Sequence, residues 1–421
     1  MSVRERLRPV LREWEVLGPP PAKPRRVDHR VLKLPHIVDV VGVRRAGKTY
    51  LLYYWAKRLM DEGENVIYLN FEDRRLHPLD WDLIEEVERQ ALLKGRTYLM
   101  LDEVQEFPEW GRWARSLYDR RRGVKLIVTG STSRILQPEI SSLLTGRHVT
   151  LKLFPLSFLE FITFKEVQPK GLPEEESLLM NLFDEYLRWG AFPEVTLLAE
   201  KGLLLRSYYE DILYRDLVGR FGIREVQIME SFLKYLLTNV GRPFSIRRAK
   251  NFLASYGISA STRTILRYTG MLEEIFLFFF VQAYGKVKDA LRHPRKAYTV
   301  DLGLKRVATT KEDRGAELEN LMFLHFKRKG EEIRYWKGDK GEVDLLVMGK
   351  YAVQVTWELT SDNERRELAP LVECAKREGV KPLLVTYEQE DVVEREGMKI
   401  RVIPAYKLLL KGHDVLKGSV G

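Results

Sequence analysis

Short apolar runs alternate with amphipathic stretches over the first third of the chain. Ile37–Val41, Val66–Phe71, Tyr98–Leu101, Leu126–Val128 and Val149–Phe154 are apolar runs of strand length. Between them, Thr49–Met60, Trp81–Leu93 and Trp110–Tyr118 space their apolar residues as helices do. Strand and helix alternating over about 120 residues predict a parallel sheet covered on both faces. Residues 4–17 set charges against Leu, Val and Trp at helical spacing, and "GPPPAKPRR" (Gly18–Arg26) then reads as a stiff linker.

After "FPLSFLEF" (Phe154–Phe161) the pattern turns helical through roughly Asn239. Phe244–Val300 reads as a helix pair followed by aromatic strands. A helix over Ala316–Lys329 opens a second αβ region, with strands near 343–347, 352–357, 382–387 and 400–403.

A length of 421 residues predicts several domains rather than one core. The formal net charge of +10 favours a polyanionic partner. A lone cysteine, Cys374, excludes an intrachain disulfide and any cysteine-cluster metal site. The charged start "MSVRERLRPVLREWEVL" lacks the apolar core of a signal peptide, and the apolar run Ile275–Val281 is too short to span a bilayer. A cytoplasmic protein with no membrane association is the expectation.

The chemistry is densest at the end of the first strand. Gly42-Val43-Arg44-Arg45-Ala46-Gly47-Lys48-Thr49 matches G-x-x-x-x-G-K-[ST] at every fixed position. Placed between a strand and a helix, this loop would surround phosphates with backbone N–H groups, with Tyr50 continuing into the helix. Lys48 would reach the β- and γ-phosphates of ATP, and Thr49 would bind Mg²⁺.

"YLMLDE" (Tyr98–Glu103) is an apolar strand ending in two carboxylates. Asp102 is the expected second magnesium residue, and Glu103 the residue that polarises the attacking water. "KLIVTGSTSRIL" (Lys125–Leu136) ends a strand in a polar cluster, so Ser131 or Thr132 is a candidate γ-phosphate sensor; the alternative is a hydrophilic turn. Arg147, in "LLTGRHV", is a candidate arginine finger or γ-phosphate sensor; the alternative is an ion-paired surface residue.

The series "GVRRAGKT", "YLNFED", "LDEVQEFPEW", "VTGSTSRIL", "LLTGR" and "FPLSFLEF" resembles the prokaryotic AAA-like ATPases of AAA family 14, which are abundant in archaea and related to the signal-transduction (STAND-type) ATPases. That resemblance implies an α/β protein with an ASCE-type P-loop parallel sheet, a helical lid, a winged helix and a degenerate restriction-endonuclease-like C-terminal domain. The corresponding boundaries are 1–30 for the N-terminal helix and linker, 31–157 for the ATPase core, 158–240 for the lid, 241–300 for the winged helix and 301–421 for the last domain. "RWGAFPEV" (Arg188–Val195) resembles the family's Gly-Gly-x-Pro lid motif over the adenine, with Ala191 in place of the second glycine. By that resemblance Gly190 and Pro193 would lie near the base.

Phe244–Glu274 has the outline of a helix-turn-helix. Ala249, Phe252 and Leu253 form one apolar face, Gly257 marks the turn, and Ser259 or Ser261 caps the second helix. Ile265, Tyr268 and Leu272 would point inward, leaving Arg263 and Arg267 one turn apart on the outer face. Such a face suits a major groove of DNA, with Arg247, Arg248 and Lys250 on phosphates. "YGKVKDALRHPRKAY" would act as a wing carrying Lys286, Lys288 and Arg292. The alternative is a lid whose basic residues are merely solvated.

In "GEVDLLVMGKYAVQVTW" (Gly341–Trp357), Asp344 sits where PD-(D/E)xK nucleases place the first metal-binding carboxylate, with Glu342 beside it and Glu319 on the preceding helix. The next strand reads Gln354-Val355-Thr356 where such enzymes carry Glu-x-Lys, so the metal centre reads as eroded and the domain as an inactive platform. Together these features predict a Mg²⁺-dependent ATPase that binds DNA. A STAND-like switch acting through protein partners and an ATP-coupled nuclease are the alternatives, and a homo-oligomer is required if Arg147 acts in trans.

Overall fold

The computed structural model describes residues 2–120, 123–130, 142–169, 172–285 and 293–411. The chain divides into two compact units, Met1–Phe154 with Glu274–Phe276, and Pro155–Glu273 with Leu277–Gly421.

The first unit is built on five strands: β1 (Ile37–Val41), β2 (Asn65–Asn70), β3 (Thr97–Asp102), β4 (Val124–Gly130) and β5 (His148–Lys152). All pair in parallel, in the order β2-β3-β4-β1-β5. One strand, β4, therefore lies between the strand that enters the glycine-rich loop and the strand that ends in Asp102. This is the ASCE-type sheet of a P-loop ATPase core.

Alternation along the strands sends side chains to two separate apolar layers. Val38, Val40, Tyr68, Met100 and Ile127 pack with Leu51, Leu52 and Trp55 of α2 (Lys48–Asp61) and with Trp14 of α1 (Val3–Leu17). Ile67, Leu69, Leu99, Leu101 and Val128 pack on the other side with α3 (Trp81–Leu93) and α4 (Trp110–Asp119). Each such side chain, fully buried, contributes about 1.5–3 kcal/mol.

Helix α1 starts on a capping box of Ser2 and Glu5 and buries Leu7, Val10 and Trp14. Its buried Arg6 donates to the carbonyl of Leu76 and to Asp80, which itself caps α3. Trp14 Nε1 donates to the carbonyl of Val66. The N-terminal helix is thus part of the ATPase core, where the sequence alone suggests a separate segment.

The second unit begins with helices α5 (Phe158–Phe164), α6 (Glu176–Trp189), α7 (Pro193–Leu197) and α8 (Lys201–Glu210), a π-helical stretch Asp211–Gly219, and α9 (Val226–Thr238). A short strand β6 (Pro243–Phe244) leads to α10 (Ile246–Ser255) and α11 (Thr262–Glu274), then to β7 (Phe278–Val281) and β8 (Arg295–Thr299). These strands form an antiparallel sheet in the order β6-β8-β7. Helices α12 (Gly303–Ala308) and α13 (Arg314–Arg328) precede a six-stranded sheet of β9 (Ile333–Lys337), β10 (Glu342–Val347), β11 (Tyr351–Val355), β12 (Lys381–Thr386), β13 (Asp391–Arg395) and β14 (Met398–Pro404). Its order is β13-β14-β12-β11-β10-β9, with α14 (Glu364–Glu378) crossing between the parallel strands β11 and β12, and α15 (Ala405–Lys411) following β14. Cys374 is buried within α14. Among the described residues, no helix is long and apolar enough to cross a membrane.

Candidate nucleotide site

Gly42–Gly47 leave the C-terminal end of β1 and deliver Lys48 and Thr49 to the first turn of α2. One close approach and two left-handed residues shape the loop. A Cβ on Gly42 would stand 2.1 Å from the carbonyl oxygen of Leu153, so only glycine lets the loop pass β5. Gly47 is left-handed at φ 94°, and so is Arg45 at φ 68°. Lys48 is buried, its ammonium donating to the carbonyls of Gly42 (3.0 Å) and Val43 (3.2 Å). Tyr50 is exposed on α2.

The loop has a support that sequence reasoning missed. Arg25, from the proline-rich linker, is buried and donates to the carbonyls of Ala46 and Phe154, each at 2.7 Å. In a sequence, one arginine among the basic residues of "AKPRR" carries no sign of this.

Asp102, at the end of β3, is fully buried and accepts three hydroxyl hydrogen bonds. Thr49 donates at 2.6 Å and Tyr68, on β2, at 3.0 Å; Thr129, on β4, donates to the other oxygen. Burial, and then the charge of Glu103, raise the pKa of Asp102, while the three hydroxyls oppose that rise. Tyr68 stacks on Trp14 with ring centroids 4.9 Å apart, and its hydroxyl lies 3.4 Å from that of Tyr53. Tyr68 opens "YLNFED" and Thr129 lies in "VTGSTSRIL", but neither is a candidate site residue by type or spacing; both reach Asp102 because β2 and β4 flank β3.

Glu103 follows in a left-handed conformation (φ 53°, ψ 48°), which costs a non-glycine residue about 1–3 kcal/mol. Its backbone N–H donates to Thr129 Oγ1 at 3.1 Å, and Gln105 Nε2 donates to its carboxylate at 2.5 Å. The geometry turns Glu103 sharply away from the line of the strand.

Arg147 requires a correction. It immediately precedes β5, whose first residue pairs with Ile37 at the start of β1, and its carbonyl accepts from Ile37 N. The glycine-rich loop leaves the opposite end of β1, five residues or about 16 Å further along. The Arg147 guanidinium pairs with Asp119 at 2.8 Å. Within one chain it does not reach the loop.

Ser131 and Thr132 lie outside the described residues, as do Lys286, Lys288 and Arg292. Pro193 belongs to the second unit, as the first residue of α7. There the "RWGAFPEV" turn is fastened by a residue that no sequence motif marks. The buried carboxylate of Asp301 accepts from Ala191 N at 2.7 Å and Gly303 N at 2.8 Å, and a Cβ on Gly190 would collide with it.

On the other candidate surface, Ala249, Leu253, Ile265, Tyr268 and Leu272 are buried, and Arg247, Arg248, Arg263 and Arg267 are exposed. Ser245 caps α10, and Ser261 caps the start of α11 by accepting from Thr264 N at 3.0 Å. Lys250 is half-buried.

A parallel sheet with one strand between loop and carboxylate, a glycine-rich loop on β1 and a buried Asp102 bonded to Thr49 define an AAA-type P-loop ATPase fold. The family model "AAA domain" matches residues 35–162, and "Domain of unknown function (DUF8612)" matches residues 180–314. The uncharacterized protein MJ1544 of Methanocaldococcus jannaschii is 30% identical over 400 residues, covering 90% of each chain. An uncharacterized protein of Haemophilus influenzae is 28% identical over 382 residues, 86% of this chain and 91% of that one. Among solved structures, the Walker-type ATPase PABY2304 of Pyrococcus abyssi aligns with a TM-score of 0.45 and 13% identity, over 68% of this chain and 98% of that one. The chain belongs to AAA family 14 and carries this domain of unknown function after its AAA domain.

Proposed function

We propose that this protein is a Mg²⁺-dependent ATPase whose nucleotide state governs its grip on DNA. The observation that carries the first part is the Thr49–Asp102 hydrogen bond beside the buried Lys48. The hydroxyl and the carboxylate that would hold Mg²⁺ already face each other at the ends of α2 and β3. The donor set fits the ion: oxygen ligands, one of them anionic. Bound there, Mg²⁺ would neutralise charge on the β- and γ-phosphates.

The chain's own residues would do the rest. Backbone N–H groups of 42–49 would cradle the phosphates, and Lys48 would exchange its loop carbonyls for phosphate oxygens. Glu103, turned out of the strand direction, would orient water for attack. The DNA part rests on α10 and α11, whose helix–strand–helix–helix–hairpin order would suit a winged helix. Arg263 and Arg267 would face a groove and Arg247 and Arg248 the phosphates. Ser131, from its place in the sequence after the "KLIVTG" strand, and Pro193, by family resemblance, remain proposed nucleotide contacts.

A second reading, a slow STAND-like switch acting through protein partners, is favoured by the Gln105–Glu103 bond, which engages the proposed catalytic carboxylate. The deciding experiment is steady-state ATPase activity with and without single-stranded, duplex and branched DNA, with Lys48→Ala as the blank. DNA-stimulated turnover supports the proposal. Slow turnover indifferent to every DNA favours the switch, and no turnover above the blank refutes both.

A further inference from the structure

Three carboxylates, Glu319, Glu342 and Asp344, gather in the second unit where a PD-(D/E)xK centre would place its metal, but something stands among them. Lys296, on the central strand of the three-stranded sheet, sends its buried side chain toward α13 and β10. Its ammonium lies 3.0 Å from Glu319 Oε1, 2.9 Å from Glu342 Oε1 and 2.9 Å from Asp344 Oδ1. Tyr298 also donates to Glu319 Oε1, at 2.5 Å. The second oxygen of Asp344 accepts from Val355 N at 3.0 Å.

Gln354, in the place of the second metal-binding carboxylate, is committed elsewhere. Its oxygen accepts from Asp344 N (3.3 Å) and its amide donates to Glu367 (2.7 Å). Thr356 donates to the carbonyl of Glu358. The residues therefore do not fit a divalent metal: the position equidistant from the three carboxylates is filled by a covalently attached cation. Among the described residues, no group of three or more His, Cys, Asp or Glu side chains is placed to hold a metal.

We propose that Lys296 is the resident cation of this cluster, an ammonium built into the place where a nuclease of this fold would bind its metal, so that the native site takes none. Burial works against the lysine's charge, but Asp344 and Glu319 outweigh it and hold its pKa well above the ordinary range. An ammonium cannot act as a Lewis acid or generate hydroxide from water, so the cluster has no route to metal-assisted hydrolysis. It acts instead as a tie: β8 of the three-stranded sheet is pinned to α13 and β10 by a buried charge network. Removing one partner of such a network leaves the others uncompensated.

The test uses the full-length protein without nucleotide, with Mn²⁺ as probe, read by electron paramagnetic resonance and by thermal unfolding. Wild type is expected to show no Mn²⁺ binding that Asp344→Asn removes. Lys296→Met is expected to unfold at a lower temperature in EDTA, to gain one Mn²⁺ site per chain, and to recover stability when Mn²⁺ is added. Both gains are expected to vanish in Lys296→Met/Asp344→Asn. An Asp344-dependent Mn²⁺ site in wild type, or a folded Lys296→Met without one, overturns the proposal. If Lys296→Met does not fold, Lys296→Met/Glu319→Gln/Asp344→Asn decides. Folding of that variant without metal shows that the lysine serves as counter-charge, and its failure shows that packing of the lysine stem is what matters, against the proposal.

Discussion

Replacing Tyr68 by Phe removes one oxygen from a site that tolerates the ring unchanged. The ring stays sandwiched in its apolar layer against Trp14, and Tyr53, half-buried, can turn its hydroxyl to water. The loss is the 3.0 Å hydrogen bond to Asp102 Oδ2. A hydrogen bond to a charged group contributes about 1.5–3 kcal/mol. No buried donor is left unpaired, so stability should fall by no more than that. The same energy, at about 1.4 kcal/mol per factor of ten, is a roughly 10- to 100-fold stronger hold of Asp102 on its proton. Burial already pushes Asp102 upward, and the anion is the form that would bind Mg²⁺. The sign is therefore fixed: in Tyr68→Phe the acid limb of the Mg²⁺-dependent profile moves to higher pH, while the plateau at high pH is largely kept. The assay is Mg²⁺-dependent binding of a fluorescent ATP analogue from pH 5 to 9, with urea unfolding as the stability control. An unshifted acid limb together with an unchanged urea midpoint would refute the role assigned to the hydroxyl.

Arg25→Ala should weaken ATP binding roughly 10-fold, at about 1–3 kcal/mol for the buried carbonyl of Ala46 left unsatisfied, the half-buried carbonyl of Phe154 adding less; titration calorimetry reads this, and unchanged affinity sinks it. Burial raises Asp301 to about 7, so the folded protein keeps a proton that the unfolded chain releases near the ordinary carboxylate value. Stability should thus fall as pH rises from about 4 to about 7, by on the order of 4 kcal/mol, and level off above. Asp301→Asn should flatten that slope in urea titrations across the window. Arg247→Ala/Arg248→Ala should lower DNA affinity and reduce the salt slope by about one for each phosphate no longer neutralised, with ATP binding intact; an unchanged slope removes these residues from the interface.

Much of the first unit is legible in the sequence because its signals are local. Strand alternation, the helical spacing of Leu51, Leu52 and Trp55, and the pattern Gly42–Thr49 each depend on residues close in the chain. The inward set Ile265, Tyr268 and Leu272, and the outward pair Arg263 and Arg267, follow from helical periodicity alone. Strands β9 and β13 are not legible in this way, because neither repeats a clean two-residue alternation: β13 is largely exposed, and β9 mixes Arg and Lys with its aromatics.

Contacts between residues far apart in the chain were set by the fold alone. Arg147 looks like a phosphate sensor in "LLTGR", but parallel pairing of β5 with β1 puts it at the wrong end of the sheet. Tyr68 and Thr129 meet Asp102 because strand order makes β2 and β4 the neighbours of β3. Arg25 meets the glycine-rich loop from a linker, and Lys296 meets Glu319, Glu342 and Asp344 from a different sheet. Residue type and spacing along the chain were enough to mark which residues could carry phosphate chemistry and which faces are apolar. Partners for buried charges were left to the fold, because a charge taken out of water pairs with whatever packing brings near it, at any separation along the chain.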